Sequence, residues 1–324
     1  MKHRALTLVA LLALMAAIAS PIFATGTQEA ASAGDTLTIA IGAEPESLDP
    51  VKMTSAPAAT VGEHVVERLI YMEEDGSLIP MLATSWSANS DSTVWTFEIR
   101  QGVEFHDGEP LNAEAVRLNL ARFIDPDVGA AYRFLLGSVE EIRATGEYTL
   151  ELRLSEPFAP ILAHLSHSFI GIVSPRQIAD LAATDTFEIP VGTGPYSMTS
   201  WSRGDSITLV RNDDYWGSTP QIPNILIRFI PEESARIVAL ETGEADAIMA
   251  VPPQDVDRLE QNPDIEVVEE VTVRTIYIGF NNEKAPFDDP LVRRALNYAV
   301  DKQAIVDSIF EGNAVVADAP VVDA

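Results

Sequence analysis

The stretch Trp95-Thr96-Phe97-Glu98-Ile99-Arg100-Gln101-Gly102-Val103-Glu104-Phe105-His106-Asp107-Gly108 carries the decisive pattern. Residues 95–100 alternate apolar and polar, which predicts a strand with one buried face and one wet face. Gln101-Gly102 interrupts it, and His106-Asp107-Gly108-Glu109 reads as a tight turn in which His106 bonds locally. Asn112 then stands where a helix N-cap belongs, with Val116, Leu120 and Phe123 along one face of the helix that follows. Residues 148–154 (YTLELRL) alternate again. The mixture is α/β with several antiparallel pairs.

The mixture extends in both directions. Residues 37–41 form a β-prone run, residues 42–50 (GAEPESLDP) are rich in turn formers, and Val61, Val65, Val66 and Leu69 show a helical spacing over residues 61–71. Residues 157–169 predict a helix, and Pro175 suits the first turn of another. A β-rich region holds strands at 196–201, 207–211 and 225–230. Helices at 232–241, with Ile237 and Leu240 inward, and at 253–261 come next, and further strands are expected at 266–268 and 275–280. Two helices close the sequence. Asp289 and Pro290 open the first, whose inner stripe would be Val292, Leu296 and Ala299. Asp301 caps the second and Gly312 ends it. The class is α/β.

At 324 residues and 47% hydrophobic content, the chain can bury the cores of two domains. Its formal charge of -28 disfavours nucleic acid and anionic membranes as partners. With no cysteine it can form no disulfide, thiol nucleophile or lipid-bearing cysteine. Lys2, His3 and Arg4 precede an apolar run from residue 5 to 19, and Ser20, Pro21 and Ala24 follow. That is the layout of a secretory signal peptide over residues 1–24, with Ala33 as a second cleavage candidate and a membrane anchor as the alternative reading. Residues 25–36 read as a flexible linker. The expectation is a monomer free in the periplasm or another extracytoplasmic space.

Catalytic patterns are weak. His164 and His167 lie three apart on the expected helix and could share a metal, but no acid accompanies them, and a place on the helix surface is the plainer reading. No G-x-S-x-G elbow or H-E-x-x-H motif occurs. Gly192-Thr193-Gly194-Pro195 lacks the endings of a phosphate loop, and its proline removes a backbone donor, so it reads as a sharp turn into a strand. No cofactor is expected.

Six blocks, taken in order, resemble the signatures of the peptide/nickel-type (family 5) extracellular solute-binding proteins of ABC transporters. They are Ser47-Leu48-Asp49-Pro50; Leu82-Ala83-Thr84-Ser85-Trp86 with residues 95–108; Gly192-Thr193-Gly194-Pro195-Tyr196; Arg211-Asn212-Asp213-Asp214-Tyr215-Trp216-Gly217; Leu240-Glu241-Thr242-Gly243-Glu244-Ala245-Asp246; and residues 292–301 (VRRALNYAVD). The resemblance implies a two-lobed clamp of the type II periplasmic-binding-protein kind. Lobe I would comprise residues 37–70 and 190–279, with residues 71–189 inserted as an extra subdomain. Residues 280–324 would begin lobe II, with most of that lobe and the returning part of lobe I absent from this sequence.

The resemblance also implies a function. Such a protein captures a peptide or similar small organic solute by lobe closure and delivers it to a membrane permease, catalysing no reaction. Met53 and Thr54, in the loop after Pro50, and Tyr132 and Arg133 fall at cleft-lining positions of the family. Nickel-binding members hold a metal chelate with arginines at positions that are Gly129 and Phe169 here, although Arg133 lies one turn away. That departure favours peptides, with a nickel or metal-chelate carrier and an exported hydrolase as the alternatives.

Overall fold

The computed structural model describes residues 35–184, 187–269, 275–317 and 319. The expected signal segment and almost all of the expected linker lie outside the described residues. Eleven strands are present among those described: β1 (Thr36–Ile41), β2 (Ile70–Met72), β3 (Leu78–Pro80), β4 (Ala83–Ala88), β5 (Val94–Ile99), β6 (Val139–Ala144), β7 (Thr149–Leu154), β8 (Tyr196–Ser202), β9 (Ser206–Arg211), β10 (Asn224–Phe229) and β11 (Ala247–Ile248).

They form two main sheets. The first has the order β11-β1-β10-β9-β8. In it β1 runs parallel to both β10 and β11, with Thr36 opposite Asn224 and Ile39 opposite Ala247. The pairs β10–β9 and β9–β8 are antiparallel. The second sheet, β4-β5-β7-β6, is antiparallel throughout. A hairpin of β2 and β3 lies between them in sequence.

Each main sheet has its own core. Phe97 and Ile99 of β5 are buried while Glu98 is exposed, as the alternation predicts. They pack with Val116, Leu120 and Phe123 from the helix Ala113–Ile124, whose N-terminus is capped by Asn112 accepting from the Ala115 N–H. The other core joins Ile207, Leu209, Ile225 and Ile227 to Val61 and Val65 of the helix Ala56–Val65. The turn after β5 closes as expected: Gly108 adopts φ +80 and its N–H donates to the Phe105 carbonyl.

Several expectations are corrected. The helix anticipated over 61–71 begins at Ala56 and ends at Val65, because Ser55 caps it with Pro57 in its first turn and Val66 is already extended. The expected helix at 157–169 shrinks to Ile161–Leu165. On the helix Glu233–Glu241, Ile237 is buried and Leu240 only half-buried. The inward position belongs to Arg236, whose guanidinium donates to the carbonyls of Ile230, Pro231 and Ala250. Residues 266–268 and 275–280 do not form strands. Val268, Ile276, Tyr277 and Ile278 are all exposed, and no strand among the described residues lies beside them to complete a ladder. The helices Pro290–Ala299 and Lys302–Ile309 start at Asp289 and Asp301 as expected. The first buries none of its residues, however, so the stripe of Val292, Leu296 and Ala299 faces no core.

One junction ties the two halves together. The Glu67 carboxylate, 1% exposed, accepts from Thr193 Oγ1 at 2.7 Å, Tyr215 Oη at 2.8 Å and Trp216 Nε1 at 2.7 Å. The Arg100 guanidinium lies 4.2 Å from the centre of the Trp216 ring. Burial pushes the Glu67 carboxyl above its ordinary range, although these donors and Arg100 pull the other way. His106 belongs here too. Its bond is not local, since Nε2 lies 3.0 Å from the Gly194 carbonyl.

The glycines of the Gly192–Pro195 turn answer a packing demand. A Cβ on Gly192 would lie 2.0 Å from the Val65 carbonyl oxygen, and one on Gly194 would lie 2.6 Å from that of His64. Gly194 also donates its N–H to Val65 at 3.0 Å. The turn therefore passes against the end of the helix Ala56–Val65. Gly194→Ala is expected to destabilise by about 1–3 kcal/mol through forced backbone separation. Urea unfolding checks this, and an unchanged midpoint would mean that the contact has slack.

Candidate functional site

The loop after Pro50 is held from both ends. Lys52 and Met53 donate their N–H groups to the Asp49 carbonyl, which winds the loop into a turn. The Asp49 side chain takes a two-pronged bond from Arg122, at 2.7 Å and 2.5 Å, with the two side chains 4% and 12% exposed. Such a fork fixes orientation as well as distance. On the other side, Glu46 accepts from the Thr54 N–H at 2.5 Å, Thr54 Oγ1 at 2.9 Å, the Ser55 N–H at 3.1 Å and the Ser55 hydroxyl. Burial raises the Glu46 carboxyl, but the summed bonds from Ser55 and Thr54 outweigh it and leave the group below its ordinary range.

With its ends fixed, the loop sends Met53 inward. Its side chain is 2% exposed and packs with Ala58 and Phe169, and Tyr132 leans against the same cluster. Gly62 leaves room for it, since a Cβ there would lie 2.8 Å from Met53 Cε. Tyr132 stands at the start of the short 3₁₀ turn Arg133–Leu136. Its ring is centred 5.0 Å from Phe169, 5.2 Å from His167 and 5.8 Å from Phe134, which is exposed. His167 and Phe169 lie 4.9 Å apart.

Met53 and Tyr132 thus come together. Thr54 sits beside them with its polar groups committed to Glu46. Arg133 is exposed and points elsewhere, donating Nε to the Ile124 carbonyl at 2.6 Å. Gly129 has a φ of +66, and Lys52 donates Nζ to the Val128 carbonyl next to it.

Sequence reasoning weighed His167 only as a metal partner of His164 and Phe169 only as a position where nickel-binding members have arginine, and the expected helix hid how close the two rings lie to each other. Positions two apart on a helix point to different sides, whereas here the helix stops at Leu165 and the following turns bring the two rings together. His164 is not a surface residue of that helix either. It is half-buried, with Nδ1 lying 2.6 Å from the Leu135 carbonyl. Among the described residues no group of three or more His, Cys, Asp or Glu is placed to hold a metal ion. No described helix is long and apolar enough to cross a membrane. The cluster can therefore offer aromatic faces, a thioether wall and a few fixed polar groups to an organic solute.

Known proteins share the sequence pattern and the fold of this chain. The sequence profile described as bacterial extracellular solute-binding proteins, family 5 Middle, matches residues 77–324. The glutathione-binding protein GsiB of Pectobacterium atrosepticum is 32% identical over 307 residues, 94% of this chain and 58% of its own length. The probable D,D-dipeptide-binding periplasmic protein DdpA of Escherichia coli is 32% identical over 312 residues, 94% of this chain and 59% of its own. Among solved structures, the periplasmic binding protein DppA of Helicobacter pylori in complex with the peptide STSA superposes with a TM-score of 0.79 at 29% identity, covering 86% of this chain and 58% of that one. The chain thus spans less than two thirds of the length of these relatives.

Proposed function

The chain belongs to the family 5 bacterial extracellular solute-binding proteins, and from that premise we propose that it captures a short peptide outside the cytoplasm and delivers it to an ABC permease. It does so as a monomer, exported by the signal segment of residues 1–24, and without catalysing a reaction. The observation that carries the peptide reading is the Tyr132 cluster. A half-buried aromatic ring beside a buried methionine gives a wall that tolerates varied side chains. Met53 and Tyr132 form that wall, with Thr54 next to Met53, while Arg133 is turned away to the Ile124 carbonyl and is not assigned a ligand contact. At the two positions where the family resemblance puts the arginines of nickel-chelate carriers, Gly129 and Phe169 offer no guanidinium, which supports the peptide reading over the chelate one.

We assign residues 37–70 and 190–279 to lobe I, residues 71–189 to an inserted subdomain and residues 280–324 to the start of lobe II. The division is supported by the two cores. One is built around the four-stranded sheet, joined by Val51, Leu69 and Ile70 from the first segment, and the other around the five-stranded sheet, joined by Val173 from the end of the inserted one.

Calorimetric titration of the full-length protein with reduced glutathione and with the tetrapeptide Ser-Thr-Ser-Ala tests the reading. Tyr132→Ala is expected to weaken binding by about tenfold or more, equivalent to roughly 1.4 kcal/mol, while the ligand-free protein melts close to wild type. A lower melting temperature with unchanged affinity would make Tyr132 scaffold. Failure of the wild type to bind either peptide would exclude the peptide reading.

A further inference from the structure

We propose that His167 determines ligand specificity, its Nε2–H donating to a carbonyl or carboxylate oxygen of a peptide lying on the Tyr132 ring. The inference rests on the peptide reading above and adds to it a donor and an orientation.

The chain fixes this imidazole closely. Its backbone N–H donates to the His164 carbonyl at 3.1 Å, and its own carbonyl accepts from Ile170 at 2.9 Å, so the Cα is held between two turns. Its Nδ1 accepts from the Phe169 N–H at 3.2 Å. A nitrogen that accepts carries no proton, so the neutral ring has its hydrogen on Nε2. The ring also packs against Tyr132 and Phe169, which hinder rotation away from this position. Nε2 itself has no protein partner among the described residues and is not among the buried unpaired atoms, so it opens to solvent.

A donor of fixed direction, bordered by aromatic faces and left unsatisfied by the protein, is built to meet an acceptor from outside. The adjoining rings lower the local polarity on one side of the donor, which strengthens a bond formed there. Burial, then the positive charge of Arg68 and neighbouring His164, hold the imidazole below its ordinary range, against the opposing pull of Glu63. The ring is therefore a neutral donor at neutral pH. Arg68 is paired with Glu63 at 2.9 Å. An N–H donor suits an oxygen and gives nothing to an ammonium group, which carries donors alone, so a carbonyl-bearing part of the peptide, not its amino terminus, faces Tyr132.

Two near-isosteres separate ligand contact from scaffold. In His167→Gln the amide nitrogen takes the place of Nε2 and the Nδ1 acceptor is lost. In His167→Asn the amide oxygen takes the place of Nδ1 and the outward donor is lost. Titrating each full-length variant with reduced glutathione and Ser-Thr-Ser-Ala, beside ligand-free melting curves, is expected to show Gln within about threefold of wild type and Asn weakened about tenfold or more. Asn should nonetheless melt at least as high as Gln. Wild-type affinity in Asn, or equal losses in both variants, would overturn the proposal. If the wild type binds neither peptide, the peptide reading fails and this role fails with it.

Discussion

Replacing Glu67 with alanine is expected to lower the unfolding free energy by about 4 kcal/mol. The change strips the acceptor from Thr193, Tyr215 and Trp216 at once, and each buried donor left without a partner costs about 1–3 kcal/mol, less where water can reach it. Thr193 is sealed, whereas Tyr215 and Trp216 are half-buried, which keeps the total below the upper bound. Glu67→Gln should cost much less. Its amide oxygen can serve Thr193 and Trp216, and the Tyr215 hydroxyl can turn to accept from the amide nitrogen. That hydroxyl keeps its proton, because burial and then the Glu67 charge push its ionisation upward. The pH dependence separates the two forms further. The folded state raises the Glu67 carboxyl above its ordinary 4.5, so between those values the folded protein holds more proton than the unfolded chain. Stability from this group is therefore greatest below about pH 4.5 and falls as pH rises through the folded value. Glutamine does not titrate, so Glu67→Gln should gain on wild type as pH rises from 4 to 7 in urea unfolding. A difference that stays flat across that range would show that Glu67 is not the titrating group.

The second large effect is expected at the Asp49–Arg122 pair. Asp49→Ala leaves a guanidinium that is 12% exposed without its carboxylate, a loss of about 3–5 kcal/mol for a broken buried pair. Arg122→Ala should cost a similar amount. The double variant should be no worse than either single one, because the charge left behind, and not the bond itself, dominates the loss. The pair also positions Met53 through the turn at Asp49, so both single variants should weaken the peptide binding proposed above. Guanidinium chloride unfolding of the three variants checks the cycle. Strict additivity would mean that the two residues act independently.

Legibility in the sequence followed the range of the interactions. The helix Ala113–Ile124 could be read because its cap and its apolar face lie within one dozen-residue window, from Asn112 to Phe123. Strand β5 announced itself by alternation alone. The helix Ala56–Val65 was misplaced because Val66 and Leu69 continue a helical spacing, while Ser55 and Pro57 set the true start. Residues 275–280 show the limit from the other side: a β-prone run becomes a strand only beside another strand.

The buried charges were invisible for a related reason. Nothing near Glu67 in sequence explains a sealed carboxylate, since its partners stand at residues 193, 215 and 216. Arg236 has nearer partners, but they are backbone carbonyls, and a carbonyl that will accept a buried guanidinium looks like any other in the sequence. Family resemblance pointed to Met53, Thr54, Tyr132 and Arg133, of which the fold brings Met53 and Tyr132 into one cluster and turns Arg133 away. His167 needed the knowledge that its helix ends two residues earlier.

The pairing of β1 also sets a timetable. Thr36 has its hydrogen-bonding neighbour at Asn224, and the far side of the same strand waits for Ala247. The second sheet, by contrast, is complete between Ala83 and Leu154. A chain emerging amino end first can close the second sheet early, from contacts close in sequence, while its first strand has no ladder to join until β10, at Asn224–Phe229, has been made. The first strand is therefore among the last pieces of the described fold to gain its partners, and the five-stranded sheet cannot close before the inserted four-stranded one has been made.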